Sequence, residues 1–221
     1  MTRRLLATGL TVGAIVLAQK KHEGDYAKHH TPHSAEDYLR HLEDPARDEW
    51  QKPGQVVEAL GLQPGWTVAD IGAGSGYFAL RFAPVVGAEG EVLAVDIDPK
   101  LLEHVSKRAG EQGFFNVHPI QGAPDNPRLA PQSVNVFFLC DVIHHIEKRQ
   151  DYYKHMARAL RPGGRVAVVD FHKRPLPVGP KPEMKIDREE MIREFESAGF
   201  RLAGEHAFLP HQYFLVFEPR R

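Results

Sequence analysis

The chain has 221 residues, of which 42% are hydrophobic and 26% are charged, as is typical of a globular protein long enough to bury a sizeable core. With 28 Lys and Arg against 29 Asp and Glu, the net charge of −1 provides no basic surplus for a nucleic-acid interface, and we expect no nucleic-acid partner. The single cysteine, Cys140, excludes an internal disulfide and a cysteine-based metal site, and its apolar surroundings predict a small buried side chain.

The first 18 residues resemble a secretory signal peptide. Arg3 and Arg4 precede an uncharged stretch, residues 5–18, that ends at a small residue. As a helix this stretch would span about 21 Å, less than the roughly 30 Å of a bilayer core, so a stable membrane span is not expected. We therefore expect residues 1–18 to direct export to the periplasm. A cytoplasmic protein with a fortuitously apolar leader is the alternative.

Residues 19–53 form a polar, histidine-rich segment, in which residues 34–42 are predicted to be helical with Ser34 as the N-cap. Arg47, Trp50 and Gln51 are predicted to belong to a lid that folds over a ligand. Metal binding by the histidines is an alternative, but their spacing does not enforce it. These histidines are His22, His29, His30, His33 and His41.

From Thr67 onward the sequence alternates strands with helices, which is typical of a parallel α/β sheet. The predicted helices are residues 56–60, 77–83, 99–112, 151–160 and 187–198. The predicted strands are residues 67–71, 91–96, 116–121, 134–140, 164–171, 200–208 and 213–217. The last two strands are too close together for a helical crossover, so they are predicted to form an antiparallel hairpin. Residues 54–221 are thus predicted to be a single α/β domain with seven strands, in which residues 173–182, with four prolines, form a loop.

The most specific motif is the glycine-rich run that follows the first predicted strand. Asp70 precedes Gly72-Ala73-Gly74-Ser75-Gly76, and a helix follows. Glycines allow a tight turn and a close approach of the ligand to the backbone, while the helix terminus offers free N–H groups. Asp96 ends the second predicted strand, where a carboxylate can accept hydrogen bonds from both ribose hydroxyls of a nucleoside.

The spacing of these glycines distinguishes between two nucleoside cofactors. Dinucleotide folds usually contain Gly-x-Gly-x-x-Gly, whereas this chain has Gly-x-Gly-x-Gly. Asp70 would repel a pyrophosphate, but it suits the cationic end of S-adenosylmethionine (SAM). An NAD-dependent oxidoreductase is therefore a weaker alternative.

The run Asp70–Gly76 resembles motif I of the class I SAM-dependent methyltransferases. Residues 160–165 resemble the turn before the fifth strand of that family. Residues 140–146 resemble the fourth-strand motif of its ubiquinone/menaquinone and arsenite methyltransferase-like group. The resemblance implies a Rossmann-like sheet with strand order 3-2-1-4-5-7-6. Arsenite methyltransferases need several cysteine thiolates, so the single cysteine argues against arsenite as the substrate.

The resemblance also implies roles for individual residues. The glycine backbone would hold the methionine moiety, Asp96 the ribose, and Ile97 the adenine face, with Gly122 and Ala123 at the adenine edge. The predicted cofactor-binding residues are Asp70, Gly72, Ala73, Gly74, Gly76, Asp96, Ile97, Gly122, Ala123 and Asp141.

The predicted catalytic residues follow the fourth strand and are Asp141, His144 and His145. Together with Asp170 and His172, they lie at the carboxyl ends of strands, where open α/β sheets bind ligands. A histidine beside a carboxylate could deprotonate a small-molecule methyl acceptor. We predict no metal, although Asp141, Asp170 and a histidine could hold a divalent cation. A non-catalytic exported protein that binds a nucleoside or a metal is the alternative function, and the oligomeric state stays open.

Overall fold

A seven-stranded mixed sheet organises the computed structural model, which describes residues 35–220. The strands are β1 (Thr67–Ile71), β2 (Glu91–Asp96), β3 (Val117–Gln121), β4 (Val134–Cys140), β5 (Leu160–Phe171), β6 (Phe200–His206) and β7 (Gln212–Pro219). Their order is β3-β2-β1-β4-β5-β7-β6. β1 to β5 are parallel, and β7 runs antiparallel to both β5 and β6. The predicted fold class, strand order and terminal hairpin are therefore confirmed.

Seven helices accompany the sheet in the described part of the chain. They are α1 (Ala35–Leu42), α2 (Arg47–Gln51), α3 (Pro53–Ala59), α4 (Ala79–Val86), α5 (Pro99–Glu111), α6 (Arg149–Ala159) and α7 (Arg188–Ser197). Short 3₁₀ turns occur at Ile143–His145 and Pro182–Met184. The candidate signal peptide, His22, His29, His30, His33 and the Ser34 N-cap lie outside the described residues. Leu42–Arg221 form one compact unit.

Each face of the sheet is covered by its own apolar layer. Successive strand residues point to opposite faces, so Phe138 packs with Phe78 and Phe82, while Phe137 packs with the layer that contains Tyr153 and Phe195. The first layer includes α3, α4 and α5, and the second includes α6 and α7. This double burial explains why β1 is buried along its whole length and why β4 is almost continuously apolar.

The ends of several elements differ from the sequence prediction. α3 begins at Pro53 rather than at residue 56, because proline at the first helical position is already set to a helical φ. α4 begins at residue 79 rather than 77, after the left-handed Gly76, and continues through Pro84 to the buried Val86. β5 begins at residue 160 rather than 164, because Leu160 pairs with Val134 of β4.

The terminal hairpin brings the start of β7 to the edge of the sheet where the parallel strands end. Gln212 is the pairing partner of Phe171, the last residue of β5. The side chains that follow β1, β2, β4 and β5 and those that begin β7 therefore share one edge. None of the helices within residues 35–220 is long and apolar enough to cross a membrane.

Candidate active site

The loop after β1 has the backbone geometry that its glycines predict. Gly72, Gly74 and Gly76 have φ values of 68°, 55° and 80°, in the left-handed region. A Cβ atom on Gly72 would lie 2.3 Å from Cγ2 of Val142, so the loop after β4 leaves no room for a side chain there. The loop is anchored to β2, because the Gly72 N–H donates to the carbonyl of Val95 at 2.8 Å.

Asp96 connects this loop to the end of β2. Its carboxylate accepts from the Gly74 N–H at 2.9 Å and from the Asp98 N–H at 3.0 Å. Burial raises the pKa of Asp96, and these backbone donors oppose the rise. Ile97 is 38% exposed at the same edge.

The loop after β3 lies beside the end of β2. The Gly122 N–H donates to the Asp96 carbonyl at 3.0 Å, and Ala123 forms an isolated bridge with Asn126. The structure thus gathers most of the residues predicted to bind the cofactor at one end of the sheet: Gly72, Ala73, Gly74, Gly76, Asp96, Ile97, Gly122 and Ala123.

Asp70 places a buried carboxyl at the end of β1, next to the N-terminus of α4. Burial raises its pKa from the usual 3.8 to about 7, whereas a hydrogen bond from the Ala79 backbone and the charge of Arg47 lower it. Ser75, in the glycine loop, has a buried hydroxyl without a hydrogen-bond partner among the residues that the structure describes. A buried acid and an unpaired hydroxyl beside a glycine turn suit a polar, cationic nucleoside.

Asp141, His144 and Asp170 form a second cluster where β4 and β5 end. His144 Nδ1 lies 3.1 Å from Asp170 Oδ2, and His144 Nε2 lies 4.0 Å from Asp141 Oδ1. The His144 side chain is only 2% exposed, whereas that of Asp141 is 35% exposed. Asp141 has a φ of 57°, which is uncommon for a residue other than glycine, and its Oδ1 makes no hydrogen bond to any described residue.

The surroundings raise the pKa of both Asp141 and His144. Burial raises the pKa of Asp141 to about 7, and the neighbouring Asp170 carboxylate adds to the rise. Burial lowers the pKa of His144, but the hydrogen bond to Asp170 and the charge of that carboxylate outweigh it, so the pKa is raised. With a proton on Nδ1 facing Asp170, the neutral imidazole presents its Nε2 lone pair towards Asp141.

His145 and His172 lie beside this cluster rather than between its carboxylates. The His145 ring is tilted against that of His144, with centroids 4.2 Å apart. His172 packs edge-on to Tyr213 with centroids 5.9 Å apart, and burial lowers its pKa. His144 is thus the predicted catalytic histidine for which the described residues show a hydrogen bond to Asp170.

Lys185 is a buried cation near the cluster that the sequence analysis did not identify. Its Nζ donates to the carbonyl of Arg174 at 2.9 Å and lies 5.5 Å from the centroid of the Phe171 ring. Burial lowers the pKa of Lys185, and the charges of Asp141 and Asp170 oppose that shift. No sequence signal marks Lys185, because it lies in an irregular polar stretch beyond the proline-rich loop.

The predicted lid residues lie on α2, a short helix that the sequence analysis did not predict. The Arg47 guanidinium lies 4.0 Å from the centroid of the Tyr77 ring, and its Nη2 lies 3.9 Å from Cys140 Sγ. Trp50 packs against Phe171 with ring centroids 5.6 Å apart. Cys140 is partly buried and packs against the apolar layer on one face of the sheet, so its predicted burial is confirmed only in part.

The cluster also has a geometry that a cation could use. Asp141, His144 and Asp170 each offer one ligand atom, and these atoms lie within 4.8 Å of one another. The positive charge of Lys185 and the hydrogen bonds that Asp170 already accepts from His144 and the Phe171 N–H compete with such use. The same residues suit proton transfer without further rearrangement.

The fold is that of a Rossmann-like α/β protein, and its candidate nucleoside site lies beside a titratable cluster. Residues 68–164 match the family model described as a methyltransferase domain. A SAM-dependent methyltransferase from Aquifex aeolicus has the same fold, with a TM-score of 0.78 and 24% identity over 81% of this chain and 95% of that chain. Residues 68–164 are therefore similar to the methyltransferase domain, the chain shares the fold of a SAM-dependent methyltransferase, and these similarities indicate SAM as the cofactor.

Two curated relatives are similar over about half of this chain. An arsenite methyltransferase of Halobacterium salinarum is 35% identical over 113 residues, which cover 49% of this chain and 28% of the relative. A ubiquinone/menaquinone biosynthesis C-methyltransferase of Ectopseudomonas mendocina is 30% identical over 119 residues, which cover 53% of this chain and 46% of the relative. The matched region thus spans less than half the length of either relative.

Proposed function

We propose that this protein transfers a methyl group from SAM to a small-molecule acceptor. The observation that carries the proposal is the pairing of two sites at one edge of the sheet. The glycine loop with Asp70 and Asp96 suits a cationic nucleoside, and the Asp141–His144–Asp170 cluster next to it suits the removal of a proton.

Bound SAM supplies an electrophilic methyl group on a sulfonium centre. The chain's own residues hold the two reactants close together and in line, which can account for much of the rate enhancement. Asp70 would face the cationic amino-acid end of the cofactor, Asp96 would accept from the ribose hydroxyls, and Ile97 would pack on the adenine.

His144 is proposed as the general base. When the acceptor atom bonds to the methyl carbon, the carbon–sulfur bond breaks and the acceptor proton passes to His144 Nε2, either directly or through Asp141. Asp170 would hold the imidazole in the required tautomer and stabilise its protonated form. His145 is a second candidate, because its ring lies against that of His144.

The acceptor is proposed to be a small molecule with a removable proton on oxygen, nitrogen or carbon. The arsenite named for one relative needs several thiolate ligands, and this chain contains a single cysteine. The other relative is named for ubiquinone/menaquinone biosynthesis, and quinols are compatible with a base-assisted mechanism, so they belong in a first substrate screen.

Two measurements test this proposal. Calorimetry should detect SAM binding in the micromolar range, and a screen of phenol, quinol, thiol and amine acceptors with radiolabelled SAM should yield S-adenosylhomocysteine together with a methylated product. SAM binding without transfer to any acceptor would instead support the non-catalytic alternative. An absence of SAM binding would contradict the proposal itself.

We also propose that residues 1–18 direct export. The support is the arginine pair and the apolar stretch at the N-terminus. Sequencing of the mature N-terminus from periplasmic and cytoplasmic fractions should find a shortened chain in the periplasm. A full-length chain confined to the cytoplasm would contradict export.

A further inference from the structure

A chain of polar side chains connects α2 with the start of β7. Arg47 Nε donates to Gln51 Oε1 at 3.3 Å, and Gln51 Nε2 donates to Gln212 Oε1 at 2.7 Å. Gln51 and Gln212 are 0% and 1% exposed. At the far end of this hydrogen-bonded series, Gln212 Nε2 is buried and has no hydrogen-bond partner among residues 35–220. Buried polar groups are almost always paired, so this nitrogen calls for a partner.

Arg47 determines which end of each amide faces its neighbour. A guanidinium can only donate hydrogen bonds, so the Gln51 atom that faces it is the carbonyl oxygen. The Gln51 amide nitrogen then faces Gln212, whose carbonyl oxygen accepts. Amide orientations are assigned from such networks, and this network has one consistent solution. The unpaired group of Gln212 is therefore a donor, and its partner must be an acceptor atom.

Gln212 lies at the edge of the sheet where the candidate methyl acceptor would bind. It pairs with Phe171 at the end of β5, two strands from the end of β4. Neighbouring strands are about 4.8 Å apart, so the backbone of Gln212 is roughly 10 Å from the end of β4. Beside it, the partly exposed Trp50 packs against Phe171 and offers an aromatic surface.

We propose that Gln212 determines substrate specificity by donating a hydrogen bond from Nε2 to an oxygen of the methyl acceptor. That oxygen carries no proton at this contact, as in a carbonyl, an ether, a carboxylate or an ionised hydroxyl. The adjacent Trp50 favours a planar molecule. Gln51 is a positioning residue, because it fixes the orientation of the Gln212 amide. The inference rests on the proposed function, since it concerns the acceptor of the same reaction.

Two planar probes of similar size test the inference, because acetophenone carries a carbonyl oxygen and ethylbenzene does not. Their dissociation constants are measured by ligand-observed NMR with the full chain saturated with S-adenosylhomocysteine. In Gln212→Met, the dissociation constant of acetophenone should rise about fivefold relative to that of ethylbenzene, which is the typical effect of one hydrogen bond. Gln51→Met should shift the ratio in the same direction, because it frees the Gln212 amide to rotate. Gln63→Met, on the exposed approach to β1, should leave the ratio unchanged.

Equal ratios in the native protein and in both variants would overturn the inference, as would a failure of either probe to bind a protein that binds S-adenosylhomocysteine. If Gln212→Met does not fold, the ratio in Gln51→Met alone tests the inference, and a ratio equal to that of the native protein contradicts it. Calorimetry with S-adenosylhomocysteine is done first, because it distinguishes a failure of the proposed function from a failure of the inference about Gln212. A protein that binds it but shows no change in ratio loses only this inference, whereas a protein that does not bind it loses the proposed function as well.

Discussion

At the scale of single residues, the candidate site depends on acids that the fold removes from water. Asp70 and Asp96 are buried at the ends of neighbouring strands, and burial raises the pKa of each. Ionising a buried carboxylic acid costs solvation energy, so a bound cation beside Asp70 and ribose hydroxyls on Asp96 would stabilise the ionised forms. Ligand binding and proton release should therefore be linked.

Asp70 should make SAM binding dependent on pH. Below about pH 7 this carboxyl holds a proton that must leave before it can face a cation. SAM affinity should thus rise between pH 6 and pH 8, and the calorimetric heat should vary with the ionisation enthalpy of the buffer. Asp70→Asn should weaken binding at pH 8 and flatten this profile, whereas Asp151→Asn, on the exposed side of α6, should not. A flat profile in the native protein would contradict the prediction.

Ionisation of Asp70 should increase SAM affinity as the pH rises, but it should lower the stability of the ligand-free folded state. The folded state keeps the Asp70 proton up to about pH 7, whereas the unfolded state releases it near the usual pKa of 3.8. The folded state therefore binds more protons in this window, and the free energy of unfolding falls as the pH rises through it. Asp70→Asn should accordingly raise the melting temperature of the ligand-free protein at pH 8. A decrease there would show that Asp70 is stabilised in its ionised form.

His144 should control catalysis without controlling cofactor binding. His144→Gln should lower kcat by about 10²- to 10⁴-fold, the usual contribution of a general base, while SAM affinity changes less than about twofold. His155→Gln, on α6, is the matched control. Asp170→Asn should move the acid limb of the rate profile to lower pH, because Asp170 raises the pKa of His144. Full activity in His144→Gln would contradict the role of His144 as the base and would indicate His145 or Asp141 instead.

At the scale of elements, the site depends on how loops from different strands pack together. The loop after β1 approaches the loop after β4 so closely that Gly72 tolerates no side chain against Val142. Helix α2 is held against the loop by Asp48, which accepts hydrogen bonds from the Tyr77 hydroxyl and from Arg81. Both contacts join segments that are distant in sequence.

The contact between these two loops can be measured with a double-mutant cycle. Gly72→Ala should destabilise the protein by about 2 kcal/mol or more, through steric overlap and a left-handed φ that alanine disfavours. Adding Val142→Ala should recover part of the steric cost, because it removes Cγ2 but keeps the Cβ atom that lies 2.8 Å away, and it should not recover the backbone cost. The two substitutions should therefore show a favourable coupling energy in urea denaturation. Strictly additive effects would mean that the two loops do not meet.

Asp48 should slow the dissociation of the cofactor if α2 acts as a lid. Asp48→Ala should increase the SAM dissociation rate about fivefold in stopped-flow experiments, because it removes the hydrogen bonds to Tyr77 and Arg81. Glu49→Ala provides the control, since Glu49 is the exposed acid next in sequence. Equal dissociation rates in the two variants would contradict a lid role for this contact.

At the scale of the whole molecule, the chain combines the fold of a SAM-dependent methyltransferase with a candidate cofactor site whose buried Asp70 suits a cation. S-Adenosylhomocysteine at about 100 times its dissociation constant should stabilise the folded state by about 2.7 kcal/mol. For a chain of this size, this corresponds to an increase in melting temperature of roughly 5–10 °C. NAD at the same concentration should give no increase, because Asp70 opposes a pyrophosphate. Stabilisation by NAD alone would favour the oxidoreductase alternative.

The sequence alone predicted the strands and the cofactor loop well, because these depend on local patterns. The boundaries of β1, β2 and β4 agree with the prediction, since buried apolar runs mark them. Helix ends were less accurate, and α2 was missed, because five residues carry too little periodicity. The positions of α4 and β5 depend on tertiary packing, which overrides local propensity at their ends.

The sequence by itself determined the fold class, and it predicted SAM as the cofactor and the sheet edge that carries the candidate site, because hydrophobic periodicity and glycine spacing are local properties. Only the tertiary structure decided which distant side chains meet. In the folded structure His144 is hydrogen-bonded to Asp170, and Gln51 is hydrogen-bonded to Gln212. The buried Lys185 lies near Asp141 and Asp170. These contacts arise from the packing of separate segments at the sheet edge, so they cannot be predicted from the spacing of residues along the sequence.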